Sequence, residues 1–423
     1  MNTQRLLLVG VGIVAFSLTA GAADWPQWRG PERSGISKET GLLKEWPKEG
    51  PKLVWQVKDI GNGYSTPAVV DGHLYLLSNR DKDESVLALD AKNGKEVWSM
   101  KLGKVGANVP QADYAGARST PTVDGNLLYC LGSDGDLVCL ERAQGKEVWR
   151  KNLRTDFEGK PGSWAYAESP LIDGDVLVCT PGGKSTLVAL NKKTGAVIWK
   201  SEVPGADEAA YASVTIAEAG GVKQYVQFLG KGVVGVDAKT GKFLWRYGKT
   251  AQGSLANIPT PVFHNGYVYS ATGMAGSGLA KLKSDKGTFE AEQVYFAKTL
   301  PNSIGGVVRI GDYLYGTTNK ELLCVEFTTG KVKWHHECVG AGSICYADGC
   351  FYLHGENNDE VVLVEATPDE YREKGHFTLP DQPKHDKRME KAWAYPVVAN
   401  GRLYLRDLNM LWCYDIKAAK DEK

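Results

Sequence analysis

The sequence lacks any long run of one charge sign and any sustained helical periodicity. Its 423 residues carry 50 Lys and Arg against 50 Asp and Glu, so the formal net charge is zero. A balanced surface does not provide the positive field with which proteins bind nucleic acids or anionic membranes. We therefore exclude nucleic acid as a partner, and the missing helical pattern predicts an all-β chain.

The common local signatures of metal and nucleophile sites are also missing. The chain has no Cys-x-x-Cys pair, no His-Glu-x-x-His, no Gly-x-Ser-x-Gly and no calcium loop of the Asp-x-Asp-x-Asp-Gly type. Each of these spacings places the required groups close together, so their absence removes the strongest local signals of such chemistry. The sequence motifs predict no metal site and no catalytic residue.

Long hydrophobic runs are absent except at the N-terminus. Arg5 precedes an apolar stretch from Leu6 to Leu18, and the small residues Ala20-Gly21-Ala22 follow. This is the pattern of a cleaved secretory signal, and the stretch is short for a bilayer span. We predict a signal peptide at residues 1–22, a periplasmic or secreted mature protein, and no transmembrane span after cleavage.

Cysteines are few and show no metal-binding spacing. Several of the eight, including Cys130 and Cys139, replace apolar residues inside predicted strands. We interpret most of them as small buried apolar residues. Export leaves disulfides possible, and Cys130 with Cys139, on adjacent predicted strands, is the first pair to test.

What the sequence does contain is repetition. Turn dipeptides flanked by alternating apolar residues, the signature of a β-hairpin, recur along the whole chain. They begin at residues 71, 124, 173, 220, 265, 311, 348 and 400, at intervals of 37 to 53 residues. Four antiparallel strands fit into each interval, as a propeller blade requires. The repeats predict an eight-bladed β-propeller of four-stranded antiparallel blades.

A second repeat ends each complete unit. "ALDAKNGKEVW" at 88–98 has close copies at 139–149, 189–199, 235–245 and 324–334. Gly94 suits a turn with positive φ, and Trp98 can lay its ring on the adjacent blade. We predict that the Trp residues at this position are structural docking residues; they are Trp55, Trp98, Trp149, Trp199, Trp245 and Trp334.

The two ends of the chain predict how the ring closes. The last unit stops after its third strand, whereas the lone segment "GPKLVWQVKDI" contains Trp55 and has no blade before it. Pairing the two completes blade eight and removes two exposed edges. We divide the chain into the signal at 1–22, a Trp-rich extension at 23–50 and the propeller at 51–423.

The pattern Ala-x-Asp-x-x-x-Gly-Lys-x-x-Trp resembles the tryptophan-docking repeat of the PQQ-like, or quinoprotein alcohol dehydrogenase-like, eight-bladed propellers. The resemblance implies one of two functions. One branch comprises dehydrogenases that hold pyrroloquinoline quinone and calcium in the axial funnel. The other is non-catalytic and includes the outer-membrane β-barrel assembly lipoprotein. The resemblance is weaker in blades five, seven and eight, whose last segments lack the Trp.

Absences separate these two branches. The dehydrogenases carry a vicinal Cys–Cys disulfide over the quinone, and this sequence has no Cys–Cys dipeptide. We therefore favour a non-catalytic binding or assembly scaffold of the cell envelope, a monomer without cofactor that binds other envelope proteins. The alternative is a PQQ-dependent dehydrogenase with calcium, or a cofactor or sugar binder that uses the funnel.

Residues ahead of each innermost strand are the candidate funnel site. Some of them stand three positions before a Pro, Tyr211 stands at the corresponding position of blade four, and the others lie close by in the sequence. Together they include several aromatic rings, one Arg and one Glu. Such a ring of side chains suits a sugar, a quinone or a peptide; alternatively the rings fill the channel and Arg118 pairs with Glu168. The candidates are Tyr64, Arg118, Trp164, Tyr166, Glu168, Tyr211, Asn257, Asn302 and Trp393.

Two other features carry weaker predictions. The carboxylates in "DKDES" at 81–85 and "HGENNDE" at 354–360 are interpreted as solvated loop charge rather than as calcium ligands. The extension holds Trp25, Trp28, Trp46 and Arg29. We expect it to pack across a face or edge of the ring, with a partner-binding strip as the alternative.

Overall fold

The computed structural model describes residues 23–106, 116–254, 256–385 and 390–419, and the predicted signal peptide lies outside them. These residues form 33 β-strands and a 3-10 helix at Lys249–Ala251. None of the described helical structure is long and apolar enough to cross a membrane. The predicted all-β fold is confirmed.

The strands form eight sheets, numbered here as blades one to eight. Two strands precede the blades: β1 (Ile36–Ser37) and β2 (Lys52–Val57). Blade one contains β3 (Ala68–Val70), β4 (His73–Arg80), β5 (Asp83–Asp90) and β6 (Glu96–Lys104), and blade two contains β7 (Thr122–Asp124), β8 (Leu127–Leu131), β9 (Asp136–Glu141) and β10 (Lys146–Asn152). Blade three contains β11 (Leu171–Asp173), β12 (Val176–Cys179), β13 (Leu187–Asn191) and β14 (Val197–Ser201), and blade four contains β15 (Thr215–Ala219), β16 (Val222–Leu229), β17 (Gly232–Asp237) and β18 (Phe243–Tyr247). Blade five contains β19 (Val262–His264), β20 (Tyr267–Thr272), β21 (Gly276–Asp285) and β22 (Thr288–Ala297), and blade six contains β23 (Val307–Ile310), β24 (Tyr313–Thr317), β25 (Glu321–Glu326) and β26 (Val332–Glu337). Blade seven contains β27 (Gly342–Ala347), β28 (Cys350–Gly355), β29 (Glu360–Glu365) and β30 (Glu373–Thr378), and blade eight contains β31 (Val397–Ala399), β32 (Arg402–Asp407) and β33 (Met410–Asp415).

Each blade is an antiparallel meander whose own first strand lies innermost, and in blade seven β1 of the extension adds a fifth strand that pairs parallel with β27. The first strands of neighbouring blades contact one another, as β3 does with β7, and β27 with both β23 and β31. The core lies between the faces of adjacent blades: Leu77 and Val86 of blade one share an apolar cluster with Leu128 and Leu140 of blade two. The predicted eight-bladed propeller is confirmed.

The N-terminal strand closes the ring. β2 pairs antiparallel with β33, and Trp55 lies opposite Cys413. Blade eight therefore takes its outermost strand from the start of the chain and its other three strands from the end. The predicted closure is confirmed.

A buried arginine joins blade eight to blade one. Arg406 of β32 is fully buried and uses all three of its guanidinium nitrogens as donors. Burial lowers its pKa to about 9. Buried charge is tolerated only where such donors are satisfied. The acceptors are the carbonyl oxygens of Gly61, Ser65, Leu77 and Leu408 and the hydroxyl of Ser78.

The repeated Trp contacts the following blade. The indole nitrogen of Trp98 donates to the carbonyl oxygen of Arg142 in blade two at 3.2 Å. Gly145 of the same turn has a φ of +67°, and a Cβ there would come within 2.6 Å of the indole. The turn therefore needs glycine both for its backbone and for the ring that lies on it. Equivalent bonds to the next blade are made by Trp55, Trp149, Trp199 and Trp334.

Three blades differ at this position. Trp245 of blade four donates to the side chain of Gln224 in its own blade at 2.6 Å, although its ring packs among residues of blade five. In blade five Tyr295 replaces Trp, and its hydroxyl donates to the carbonyl oxygen of Phe327 in blade six at 2.9 Å. Blade seven has Gly375 at this position of the strand register.

The extension provides the docking Trp that blade seven lacks. The backbone nitrogen of Trp46 donates to Lys374 at 2.8 Å, and a Cβ on Gly375 would lie 2.7 Å from the Cβ of Trp46. The indole of Trp46 lies 5.9 Å from the ring of Tyr352, as the ring of Trp98 lies 6.2 Å from that of Tyr75. Trp46 thus occupies the docking position of a blade that lacks its own Trp.

The rest of the extension crosses the axis of the ring. Trp25 pairs through its backbone with Val69 of blade one. Trp28 donates from its indole nitrogen to the Thr260 hydroxyl, ahead of blade five, at 3.0 Å. Arg33 reaches the carbonyl oxygens of residues 169 and 170, ahead of blade three. Since these blades lie around the ring, these contacts support packing through the axial channel.

All eight cysteines are free thiols, and seven of them are buried. Cys130 and Cys139 lie on the neighbouring strands β8 and β9, as expected, and form no disulfide. Burial raises the pKa of Cys139 to about 12. Thiols of this kind behave as small apolar groups and are poor nucleophiles.

The interpretation of two carboxylate clusters as solvated loop charge is wrong for three residues: Glu356 is only 9% exposed, and Glu84 and Asp359 are buried as well. Glu84 is fully buried, and its Oε2 accepts from both the nitrogen and the hydroxyl of Ser133 at 2.7 Å. Burial raises the pKa of Glu84 to about 7. Asp359 is only 6% exposed. All three residues belong to hairpins whose loop ends fold against a neighbouring blade, so position in a loop did not mean exposure.

Candidate functional site

A cavity of about 430 Å³ lies at the end of the ring where the innermost strands begin. The segments ahead of these strands provide most of its wall, and Trp28 of the extension forms another part. The described residues that line it are Trp28, Tyr64, Arg118, Trp164, Ala167, Ser169, Tyr211, Ser213, Ala256, Ile258, Met274, Ile304, Trp393 and Tyr395. We call this the axial cavity.

Three pairs of aromatic rings form much of the wall. The centroids of Tyr64 and Trp393 lie 5.0 Å apart, those of Trp164 and Tyr211 lie 5.8 Å apart, and those of Trp28 and Tyr395 lie 4.6 Å apart. Tilted and edge-on pairs at these distances are favourable arrangements that hold each ring in place. The axial cavity therefore has a rigid aromatic wall rather than a flexible one.

Hydrogen bonds fix two of the tyrosines further. The Tyr211 hydroxyl accepts from the backbone nitrogen of Trp164 at 3.0 Å, and the Tyr395 hydroxyl donates to the carbonyl oxygen of Ile304 at 2.8 Å. Burial raises the pKa of both tyrosines to about 12. Both phenols therefore stay neutral at physiological pH.

Arg118 is the charged side chain among the described lining residues of the axial cavity. It is half-buried, and one of its terminal nitrogens donates to the carbonyl oxygen of Trp164 at 3.1 Å. A guanidinium has five N–H groups and a planar shape that suits carboxylates and phosphates. Arg118 thus adds one anion-recognising group to an otherwise aromatic and aliphatic wall.

Five of the predicted site residues come together here. Tyr64, Arg118, Trp164, Tyr211 and Trp393 all line the axial cavity. Tyr64, Arg118, Tyr211 and Trp393 occupy equivalent places ahead of different blades, so the repeat of the fold points them to one axis, and Trp164 stands three residues before the equivalent place of blade three. Their role in binding stays a prediction.

The other four predicted residues lie elsewhere. Tyr166 and Asn257 are buried and donate to main-chain carbonyl oxygens at 2.9 and 2.7 Å, which is a structural role. Asn302 donates to a main-chain carbonyl oxygen four residues upstream at 3.3 Å. Glu168 is also buried away from the cavity wall.

Glu168 has partners other than the proposed Arg118. Its carboxylate accepts from the backbone nitrogen of Thr180 and from the side-chain nitrogen of Gln227. Burial raises its pKa to about 7, and Arg33 of the extension is the cation that opposes this rise. Burial in turn lowers the pKa of Arg33 to about 10. Arg33 of the extension is therefore the cation whose charge acts on Glu168.

Sequence reasoning missed several wall residues, among them Trp28, Tyr395 and Met274. Trp28 was assigned to the extension, and nothing local indicates that it reaches the axis. Tyr395 stands two residues after Trp393, so the same side of that segment could have suggested it. Met274, which is 58% exposed, lies in the β20–β21 loop and carries no signal in the sequence.

The axial cavity does not fit pyrroloquinoline quinone with calcium. Calcium takes six to eight oxygen ligands, with carboxylates prominent among them. Among the lining residues that the structure describes, no Asp or Glu is present, and Arg118 is the one cation to face the carboxylates of the quinone. The hydroxyls of Ser169 and Ser213 already accept from backbone nitrogens at 2.9 Å.

The fold and the repeat define a class, the eight-bladed propeller of PQQ-like repeats. The family described as outer membrane protein assembly factor BamB matches residues 32–110 and 82–336. These ranges cover more than half of the chain, and the chain belongs to that family.

Individual relatives are distant and carry different names. The chain is 24% identical over 334 residues to tetrathionate hydrolase of Acidithiobacillus ferrooxidans, covering 68% of this chain and 61% of that protein. It is 23% identical over 255 residues to BamB of Yersinia pestis, covering 57% and 56%. The matches thus span less than two thirds of either relative.

The solved structure of BamB from Moraxella catarrhalis is similar in fold. It superposes with a TM-score of 0.61 at 13% identity, covering 86% of this chain and 99% of that one. At this identity the likeness shows the fold alone.

Proposed function

We propose that this protein is an exported, non-catalytic binding or assembly scaffold of the cell envelope that receives its partner in the axial cavity. The observation that carries the proposal is the composition of that wall: three aromatic pairs and one arginine. Rings held by packing offer a large apolar contact area with little loss of side-chain entropy on binding.

The wall supports binding better than catalysis. Among its described residues there is no carboxylate, imidazole or thiol, the groups that serve most often as general acids and bases. A serine nucleophile needs an adjacent base, and both wall serines accept backbone hydrogen bonds instead. Relatives in the same family carry the name of an envelope assembly factor, which supports the envelope setting.

The same wall defines the chemistry of the occupant. Aromatic pairs favour a flat or aliphatic group, and Arg118 favours one negative charge beside it. A partner loop that presents an apolar side chain next to a carboxylate meets both requirements. We therefore propose a segment of another envelope protein as the occupant.

A dye of the same chemistry tests the cavity. Anilinonaphthalene sulfonate carries aromatic rings and one anionic group, whereas phenylnaphthylamine is its neutral counterpart. We expect one equivalent of the anionic dye to bind the purified protein. Arg118→Met should weaken the anionic dye about tenfold, by the loss of one charge-assisted contact, and leave the neutral dye unchanged. Arg372→Met, an exposed arginine of blade seven that pairs with Glu365 and Glu370, is the matched control.

A crosslinking experiment tests the partner. A photoreactive residue at position 274, on the cavity wall, should capture one envelope protein, and Arg118→Met should abolish the capture. The same probe at position 97, 50% exposed on the outer strand of blade one, should capture none. Equal capture from both positions would overturn the proposal. So would enzymatic reduction of a redox dye that depends on pyrroloquinoline quinone and calcium.

A further inference from the structure

Three metal-ligating side chains from separate parts of the chain meet between blades seven and eight. Asp359 lies in the hairpin ahead of β29, His385 in the connection between the two blades, and Asp407 at the end of β32. One ligand atom of each lies within 4.8 Å of the corresponding atoms of the other two. A single ion placed among them would therefore reach all three.

The two carboxylates have oxygens without partners. Asp407 is 1% exposed and Asp359 is 6% exposed. Nε2 of His385 lies 2.7 Å from Oδ2 of Asp407, but Oδ1 of Asp407 and Oδ1 of Asp359 have no hydrogen-bond partner in the part of the chain that the structure describes. Buried carboxylate oxygens are costly unless a donor or a cation meets them. These two oxygens are therefore available to coordinate a cation.

A polar cavity gives an ion a route to this place. It has a volume of about 440 Å³, and its lining includes Lys384, Leu408 and Glu390. The first two are the chain neighbours of His385 and Asp407, so the cavity lies beside the cluster. It is separate from the axial cavity, since the described residues that line the two are different.

We propose that Asp359, His385 and Asp407 bind one divalent transition-metal cation, which joins blade seven to blade eight. One imidazole nitrogen and two carboxylate oxygens are a donor set suited to Zn²⁺ and Mn²⁺. The imidazole disfavours Ca²⁺ and Mg²⁺, which prefer oxygen ligands alone. Because the ligands come from two blades and their connection, the ion ties together the last two units of the ring.

Metal titration of the full-length protein tests this assignment. After chelator treatment, we expect calorimetry with Zn²⁺ and with Mn²⁺ to show one site, and a rise of the unfolding temperature with metal concentration. His385→Gln replaces the imidazole ligand of a half-buried side chain and should weaken metal binding at least tenfold. Glu370→Gln, which changes an exposed carboxylate of blade seven outside the described lining of this cavity, is the matched control and should bind as the unmodified protein does.

The alternative is a triad of two carboxylates and a protonated His385 that needs no metal. It predicts no binding heat, no metal-dependent shift of the unfolding temperature and no visible absorption with Co²⁺. Those results, or equal affinity in His385→Gln, would overturn the proposal. The Co²⁺ spectrum uses the unmodified protein, so it decides the matter even where a variant fails to fold.

Discussion

At the rim of the ring, neighbouring blades are joined by one repeated device, whereas at the axis each blade contributes a different side chain. Each blade has an aromatic side chain at the docking position, even where its own last strand lacks the Trp. Tyr295 takes this place in blade five, and Trp46 of the extension takes it in blade seven. At the axis, Tyr64, Arg118 and Tyr211 occupy equivalent places with unrelated chemistry. Packing constrains the side chains at the rim, whereas the side chains at the axis are free to vary.

The largest expected effect is on stability, and it compares Trp149, the docking residue of blade two, with Trp46, the docking residue that the extension provides to blade seven. Trp149→Ala and Trp46→Ala should each lower the free energy of unfolding by about 3–5 kcal/mol, because each leaves a cavity at a blade contact. Both rings are under 10% exposed. Urea unfolding followed by circular dichroism measures the two costs. A cost under about 1 kcal/mol for Trp46→Ala would mean that blade seven does not depend on the extension.

A glycine substitution sharpens the same comparison. Gly375→Ala should cost about 2–3 kcal/mol, because the new Cβ meets Trp46 at 2.7 Å and φ is +143°. Gly72→Ala is the control, since φ is +73° and no atom lies within 4 Å; it should cost about 1 kcal/mol. In a Trp46→Gly background, which removes the Cβ that Gly375 faces, the cost of Gly375→Ala should fall toward the control value. An unchanged cost would contradict the proposed fit of Trp46 against Gly375.

The smallest expected effect concerns a buried charge near the axis and depends on pH. Burial raises the pKa of Glu168 from 4.5 to about 7, so between these values the folded protein holds a proton that the unfolded chain has released. Its contribution to stability is therefore full below about pH 4.5 and is lost as pH rises through about 7. Glu168→Gln should gain stability relative to the unmodified protein, on the order of 2 kcal/mol, between pH 5 and pH 8.

Chemical unfolding at a series of pH values measures this difference. Glu49→Gln, which changes an exposed carboxylate of the extension, should follow the pH dependence of the unmodified protein. Parallel curves for Glu168→Gln and the unmodified protein would show that the proton is not held in the folded state.

The rim could be predicted from sequence because its pattern is local. Gly94 and Trp98 stand four residues apart, and a turn and a strand are enough to explain both. Part of the axial cavity was also predictable, since the position ahead of each innermost strand repeats with the blades. That register placed Tyr64, Arg118 and Trp393 on one wall.

What could not be predicted depends on residues far apart in the chain. Nothing near Gly375 indicates that Trp46 fills its space. The donors Asp359, His385 and Asp407 show no motif spacing, because three separate segments bring them together. The burial of Glu168 is likewise set by tertiary packing, which the composition of its own segment does not reveal.

The path of the extension through the axis also sets an order of assembly. Residues 23–46 are synthesised before every blade that they touch, yet Trp28 bonds to Thr260, 232 residues later, and packs on Tyr395. Contacts so distant in sequence form slowly, because the intervening chain must be ordered first. We therefore expect the segment that is made first to be seated last, so that its docking completes the ring.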